Sequence, residues 1–331
     1  MKETPTLLYP IIICATAILI VTCQSDINPE GEWSNFNTDD GLADNLVFDA
    51  DEAPDGSIWL ATFSGVSRFT PNGTFENLTT ADGLPSDYIL TIVCGEDGRV
   101  WVGTDSGLAI IDGDSISTYT TADGLPSNNI NCVSLEDADT AWVGTNDAGL
   151  CQFTPGGEVT VYDTGNTPLQ SDIIWDIAVA SADKIIIATD AGAAIFIPPN
   201  NWQIIDTGDG LASNQVFCAY PSGEVIWFGT GGGVSKFSEG IFTNFNTSNS
   251  GLSDNAVSGI CADNDGDPIW FATLNGGVNR LQGETTWTVY GPGNQPGPLI
   301  NGINSALCTS KNIKWFGTNG GGASRYSPPV Q

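Results

Sequence analysis

The sequence Trp101-Val102-Gly103-Thr104 followed by Asp105-Ser106-Gly107-Leu108 reads as a strand, a tight turn and the start of a second strand. Close copies stand at Trp59-Leu60-Ala61-Thr62, Trp142-Val143-Gly144-Thr145, Trp227-Phe228-Gly229-Thr230, Trp270-Phe271-Ala272-Thr273 and Trp315-Phe316-Gly317-Thr318. A further copy, Ile186-Ile187-Ala188-Thr189, has lost its tryptophan. The copies begin at residues 59, 101, 142, 186, 227, 270 and 315, so the seven are spaced 42, 41, 44, 41, 43 and 45 residues apart. A sustained period near forty residues restricts a chain to stacked or radial repeats, because one such unit cannot bury its own apolar face.

One period read in detail decides between these. Asp82-Gly83-Leu84-Pro85-Ser86-Asp87 is turn chemistry, Tyr88 to Cys94 a first strand (a), Arg99 to Thr104 a second (b), Leu108 to Ile111 a third (c) and Ile116 to Thr120 a fourth (d). Four short antiparallel strands joined by tight turns make one propeller blade. Strand b is apolar on both faces, as a strand between two neighbouring blades must be. The expected fold is therefore all-β: a single seven-bladed β-propeller over residues 32–328. Glycine at 103 is read as leaving room for an indole or a neighbouring backbone, because it shares a face with Trp101.

The last repeat stops after strand c, at Arg325-Tyr326. The segment Glu32-Trp33-Ser34-Asn35-Phe36-Asn37-Thr38 resembles the strand-d segment Ile241-Phe242-Thr243-Asn244-Phe245-Asn246-Thr247. The first strand is thus expected to complete the last blade and remove the open edges of an unclosed ring.

Thirty-nine acidic residues face nine basic ones, a formal charge of -30. That excludes nucleic acid as a partner, since phosphate binding needs clustered Lys and Arg. No histidine occurs, which rules out a Ser-His-Asp triad or a histidine zinc site. Asp263-Asn264-Asp265-Gly266-Asp267 packs three carboxylates into one turn, the pattern of an oxygen-ligand calcium site at Asp263, Asp265 and Asp267. It lacks the distal bidentate Glu of an EF-hand loop, and a solvated acidic turn is the competing reading. No other cofactor is indicated.

The apolar run from Leu7 to Val21 has 15 residues and fits the apolar region of a secretory signal rather than a membrane span, which needs roughly 20. Ile20-Val21-Thr22-Cys23 resembles a bacterial lipobox, with residues 1–22 as the signal, Cys23 as the lipidated residue and 23–31 as a linker. An uncleaved anchor and ordinary secretion stay open. The cysteines after Cys23 are expected to be free and buried, since nearly all lie in strand a of different repeats.

The run Asp-Gly-Leu-Pro-Ser-Asn, then Trp-Val-Gly-Thr-x-x-Gly-Leu, resembles the two-component regulator propeller repeat over about residues 32–326. The resemblance implies an extracytoplasmic sensor part of the kind found in bacterial hybrid histidine kinases, often concerned with polysaccharide use. The kinase role does not carry over to this chain; the fold and ligand sensing do. Three functions follow as expectations. The first is a lipid-anchored outer-membrane or cell-surface module that binds a glycan or a protein partner, such as a separate signalling or surface-complex protein. The second is a structural scaffold of a surface complex. The third is a carboxylate-based polysaccharide-active enzyme, disfavoured by the missing histidine and the lack of a catalytic motif.

Residues repeated in every blade are read as architecture, so a site belongs where one blade departs from the rest. Strands alternate in direction, which puts the d–a and b–c turns on one face, expected to point outward, and the a–b and c–d turns on the other. On the outward face the departures are the long turns Gly165–Asp172 and Gly291–Leu299, the inserted residue around Asp147, Phe63 in a b–c turn, and Tyr88 and Trp175 near the starts of strands a. Asn128, Asp172 and Asn214 are expected to supply hydrogen bonds around them.

Overall fold

The computed structural model describes residues 31–181, 183–292 and 297–329. The proposed signal, Cys23 and the linker up to residue 30 lie outside them. Seven four-stranded antiparallel sheets form the ring. In blade 1, strands a to d are Val47–Glu52, Ile58–Thr62, Gly65–Phe69 and Phe75–Leu78; in blade 2 they are Ile89–Cys94, Val100–Thr104, Gly107–Asp112 and Ser115–Tyr119. The a strands of the later blades are Ile130–Leu135, Ile174–Ser181, Val216–Ser222, Val257–Ala262 and Ile303–Cys308. Each a strand packs against the a strands of the two adjacent blades, and together they line the axis. No helix among the described residues is long and apolar enough to cross a membrane.

The core is divided among the interfaces between blades. Trp59, Ala61 and Val66 of blade 1 pack with Ile89, Ile92 and Val102 of blade 2, and equivalent clusters recur around the ring. Trp101, Trp142, Trp270 and Trp315 are 0–2% exposed, and Ile186 fills the same layer at 0%. The strand-b threonine is architectural as well. In all seven blades its hydroxyl donates to the carbonyl of a glycine, the first residue of strand c or the one just before it, closing the b–c turn at 2.7–2.8 Å.

The glycine of strand b leaves room for its neighbours as expected, but not for an indole: the neighbours are strand-a side chains and, at Gly229 and Gly317, the backbone carbonyls of Val257 and Val47 in the next blade. A Cβ on Gly103 would lie 2.5 Å from Thr91 Cγ2 and 2.8 Å from Ile130 Cγ2, so the space is taken by strand-a side chains of its own blade and the next, not by an indole. Gly144, Gly229 and Gly317 face Cys132, Cys218 and Ser305 in the same way.

The ring closes as the sequence predicts. Glu32–Phe36 pairs antiparallel with Ala323–Ser327, outside strands Lys314–Thr318 and Ile303–Cys308, and serves as strand d of blade 7. Ser324 and Asn35 share a 2.6 Å side-chain hydrogen bond, repeating the Ser67–Asn77 and Ser235–Asn244 pairs found between strands c and d elsewhere. One further link ties blade 6 to blade 7. Cys261 and Cys308, on neighbouring a strands with Cα atoms 5.6 Å apart, form a disulfide. This corrects the expectation of free thiols for that pair, while Cys94, Cys132, Cys151 and Cys218 remain free. The two pair because adjacent a strands run side by side, so equivalent positions of consecutive blades meet although 47 residues separate them.

Candidate functional site

The d–a and b–c turns do share a face. Backbone hydrogen bonds join them within a blade, as from Phe63 N to Leu46 O, Asn146 N to Asn129 O and Leu274 N to Ala256 O. At the centre of this face opens a cavity of about 420 Å³.

Its wall is built by a local irregularity repeated seven times. Every a strand carries a β-bulge at its second residue, seen as a register shift against strand b. A bulge re-aims the side chain it inserts. The seven inserted residues are Phe48, Leu90, Asn131, Trp175, Phe217, Ser258 and Asn304, and all seven line the cavity.

These residues divide the blades into two kinds. In blades 3, 6 and 7 the inserted residue is polar and donates to a backbone carbonyl of the next blade: Asn131 Nδ2 to Ile174 O at 3.0 Å, Ser258 Oγ to Ile303 O at 2.6 Å and Asn304 Nδ2 to Val47 O at 2.8 Å. The same blades have the longer b–c turn, and its glycine N–H reaches the next blade's d–a turn, from Gly149 to Asp172 O, Gly277 to Asn301 O and Gly322 to Asn45 O. In blades 1, 2, 4 and 5 the turn is one residue shorter and the inserted residue is apolar. The mouth thus has two apolar arcs, Phe48 with Leu90 and Trp175 with Phe217. Phe48 extends outward through Tyr88 to Phe63, with ring centroids 5.3 and 5.1 Å apart. Phe63 is 50% exposed and Trp175 38%.

Directly after the bulge, blades 1 and 4 place a carboxyl group in the cavity, Asp49 and Asp176. Enclosure by protein pushes Asp49 up to about 6, against hydrogen bonds from Ile92 N, Ala50 N and the Thr91 hydroxyl that pull the other way. Burial pushes Asp176 up to about 7; Ala219 N, 2.8 Å away, favours its charged form, and the Asp49 charge opposes it. Asp51, deeper on the same strand as Asp49, is likewise raised to about 7 by burial, with Cys94 N bonded to it at 2.8 Å.

The sequence-predicted residues separate cleanly. Trp175 lines the cavity, and Tyr88 and Phe63 join its rim through Phe48. Asn128, Asp172 and Asn214 each spend a side-chain oxygen on a backbone N–H of their own d–a turn, from Thr121, Thr164 and Thr207 at 2.7–2.8 Å. Asn45, Asp87 and Asn255 do the same, so this is the repeat's turn lock. Asp147 is exposed in its b–c turn, and its insertion recurs in blades 6 and 7. Leu299 is 52% exposed, because the buried position that Leu42 and Leu211 hold five residues before strand a falls on Pro298 in blade 7; residues 293–296 of that turn lie outside the described part.

The three carboxylates of the acidic turn are not gathered. Asp263 accepts from Trp270 Nε1 and Asn312 Nδ2 and pairs with the fully buried Lys314 at 2.8 Å, while Asp267 accepts from Gly283 N. Among the described residues no group of three or more acidic or cysteine side chains is placed to hold a metal.

Asp49 and Asp176 were missed by sequence reasoning. Their signal was available: an aspartate in strand a where the other blades have Thr, Cys, Cys, Gly and Ser.

Comparison with known proteins fits this architecture. The two-component regulator propeller family matches residues 83–106 and 251–275, which run from the d–a turn through strands a and b of blades 2 and 6. The chain thus matches the two-component regulator propeller repeat in two of its seven repeats. Among solved structures it is similar to the extracellular domain of the hybrid two component system BT3049 from B. thetaiotaomicron, with 21% identity, a TM-score of 0.78 and coverage of 91% of this chain and 42% of that one. It is similar to virginiamycin B lyase from Staphylococcus aureus (13%, 0.72, 90% and 99%) and to PorZ, a surface component of the type-IX secretion system of Porphyromonas gingivalis (13%, 0.63, 91% and 40%). At these identities the likeness is one of fold. The chain spans about two fifths of the length of the first and last of these. No protein of curated function matches the sequence.

Proposed function

We propose that this repeat protein is an exported, ligand- or partner-binding propeller, and that it binds at the mouth formed by the d–a and b–c turns. The observation that carries the reading is the break in blade symmetry there. Seven equivalent bulges present five kinds of side chain, aromatic, aliphatic and polar, to one cavity, while the strand-b threonine is the same in all seven blades and the turn lock is always Asn or Asp where it is seen. Apolar arcs with exposed aromatic faces suit a sugar ring or a protein side chain. Similarity to extracellular domains of hybrid two-component systems supports a sensor-like role outside the cytoplasm, with a glycan or a protein as ligand and Cys23 as the lipid anchor to the cell surface.

Similarity to PorZ gives the scaffold reading its one specific support. The lyase reading has less. An inactive virginiamycin B lyase is the variant with a histidine replaced by alanine, and this chain has no histidine. The test is a glycan array with the mature chain, alongside recovery of surface partners by wild type and by Trp175→Ala. Binding that the substitution abolishes supports the mouth; a partner retained in full by the variant would favour a scaffold using another surface. Radiolabelled palmitate incorporation lost in Cys23→Ala tests the anchor.

A further inference from the structure

The polar groups of the mouth are short of free donors. Asn131 spends its amide N–H groups on Ile174 O and Asn146 Oδ1, and Asn304 spends one of its two on Val47 O, so each keeps its carbonyl oxygen to accept and only Asn304 keeps an amide N–H. The Ser258 hydroxyl hydrogen is committed to Ile303 O, and that of Thr91 to Asp49. Apart from one Asn304 N–H and the Ser305 hydroxyl, what these groups have left to offer are acceptor lone pairs. No Lys or Arg is among the lining residues. In the same layer as the Asn131, Ser258 and Asn304 side chains stand the aromatic arcs of Trp175 with Phe217 and of Phe48, whose ring faces are electron-rich. Ser305, also in the lining, keeps its Oγ buried without a hydrogen-bond partner.

An anion would find no counter-charge here, and a ligand rich in acceptors would find few donors. A cation with apolar substituents meets all three features: ring faces for its alkyl groups, acceptors for any N–H, and carboxyl groups from blades 1 and 4. We infer that the mouth recognises an organic ammonium group, carried on a small molecule or on the ligand's exposed end. This rests on the mouth being the binding site and narrows what it selects.

Burial holds Asp49 and Asp176 partly protonated near neutrality, so the cation competes with protons for them. The titratable groups facing them are each other, Asp51, and the thiols of Cys132 and Cys218, which burial keeps protonated. Binding therefore strengthens as the pH rises from 5 to 8.

The probe is choline, set against its uncharged isostere 3,3-dimethylbutan-1-ol, titrated into the full chain by ligand-observed NMR. Choline is expected to bind at pH 8 at least tenfold more tightly than the isostere and to weaken severalfold at pH 5. Trp175→Ala and Asp176→Asn, each checked for an unchanged fold by circular dichroism, are each expected to weaken it tenfold or more. Equal binding of the two probes overturns the inference; if Trp175→Ala then removes both, the mouth remains the site and only the cation preference falls. Absence of choline binding, or choline binding unchanged in Asp176→Asn, overturns it too. A glycan or partner found on the array that loses binding in Trp175→Ala would keep the mouth reading intact in either case.

Discussion

Trp33, in the first described strand, sits opposite Tyr326 of the last, with ring centroids 5.3 Å apart. The indole also meets Tyr290 and Phe316 at 5.3 and 5.6 Å, so one residue joins the two ends of the chain to the interface of blades 6 and 7. Trp33→Ala should destabilise the fold by about 3 kcal/mol, the low end for losing a large aromatic. Deleting residues 31–38 should lower the melting temperature far more, since it exposes the edge of Ala323–Ser327. A thermal melt of the deletion matching wild type would refute closure by this strand.

The ion pair of Lys314 and Asp263 is nearly sealed, with side chains 0% and 13% exposed. Removing one member of such a pair strands the other charge. Asp263→Ala should cost about 3–5 kcal/mol in urea unfolding, and Lys314→Met less, because methionine fills the stem's space and leaves only a partly exposed carboxylate. Since Asp263 is committed to this network, the melting temperature should be the same in calcium and in EDTA. A rise on adding calcium that Asp265→Ala abolishes would restore the acidic turn as a metal site.

The pH dependence has a definite sign. Asp49, Asp51 and Asp176 have folded values raised from 3.8 to about 6, 7 and 7. The stability linked to their protonation is fully present below about pH 4 and is lost as the pH rises through 6 and 7, where the folded chain must ionise buried carboxyls. Asp176→Asn keeps an oxygen for Ala219 N and removes the charge. It should raise the melting temperature by roughly 2 °C or more at pH 8 and leave it unchanged at pH 4. The same gain at both pH values would contradict burial as the cause.

The strand-b glycine gives a packing test. Gly103→Ala should cost about 1–3 kcal/mol through overpacking. Thr91→Ser, which removes the methyl nearest the new Cβ, should recover part of that loss in the double variant. Strict additivity of the two changes in denaturant melts would show that these groups are not in contact.

The fold was legible because a repeat states its own period: Trp101-Val102-Gly103-Thr104 and its copies set the blade number, one period read through set the strand order, and the likeness of residues 32–38 to residues 241–247 set the closure. The site was less legible. A bulge breaks the period-2 alternation at the residue that matters, so nothing in Val47-Phe48-Asp49 or Ile130-Asn131-Cys132 announces which side chain turns to the axis. Trp175 and Phe63 were found as departures from the repeat. Asn128 and Asn214 serve as turn locks through their side-chain oxygens, a role that looks like a ligand contact in sequence. The Cys261–Cys308 pairing was invisible because it depends on two a strands lying side by side, not on spacing.

The claim that the d–a/b–c mouth is the recognition surface is tested most directly by one comparison of affinities for whatever ligand the array or surface recovery yields. Trp175→Ala with Tyr88→Ala changes the mouth; Ile197→Ser with Ile241→Ser changes exposed apolar residues, 40% and 68% accessible, beside the c–d turns on the opposite face. The mouth pair should weaken binding at least tenfold with an unchanged circular dichroism spectrum, and the opposite pair by less than twofold. Full affinity in the mouth pair, or loss only in the opposite pair, would contradict the account.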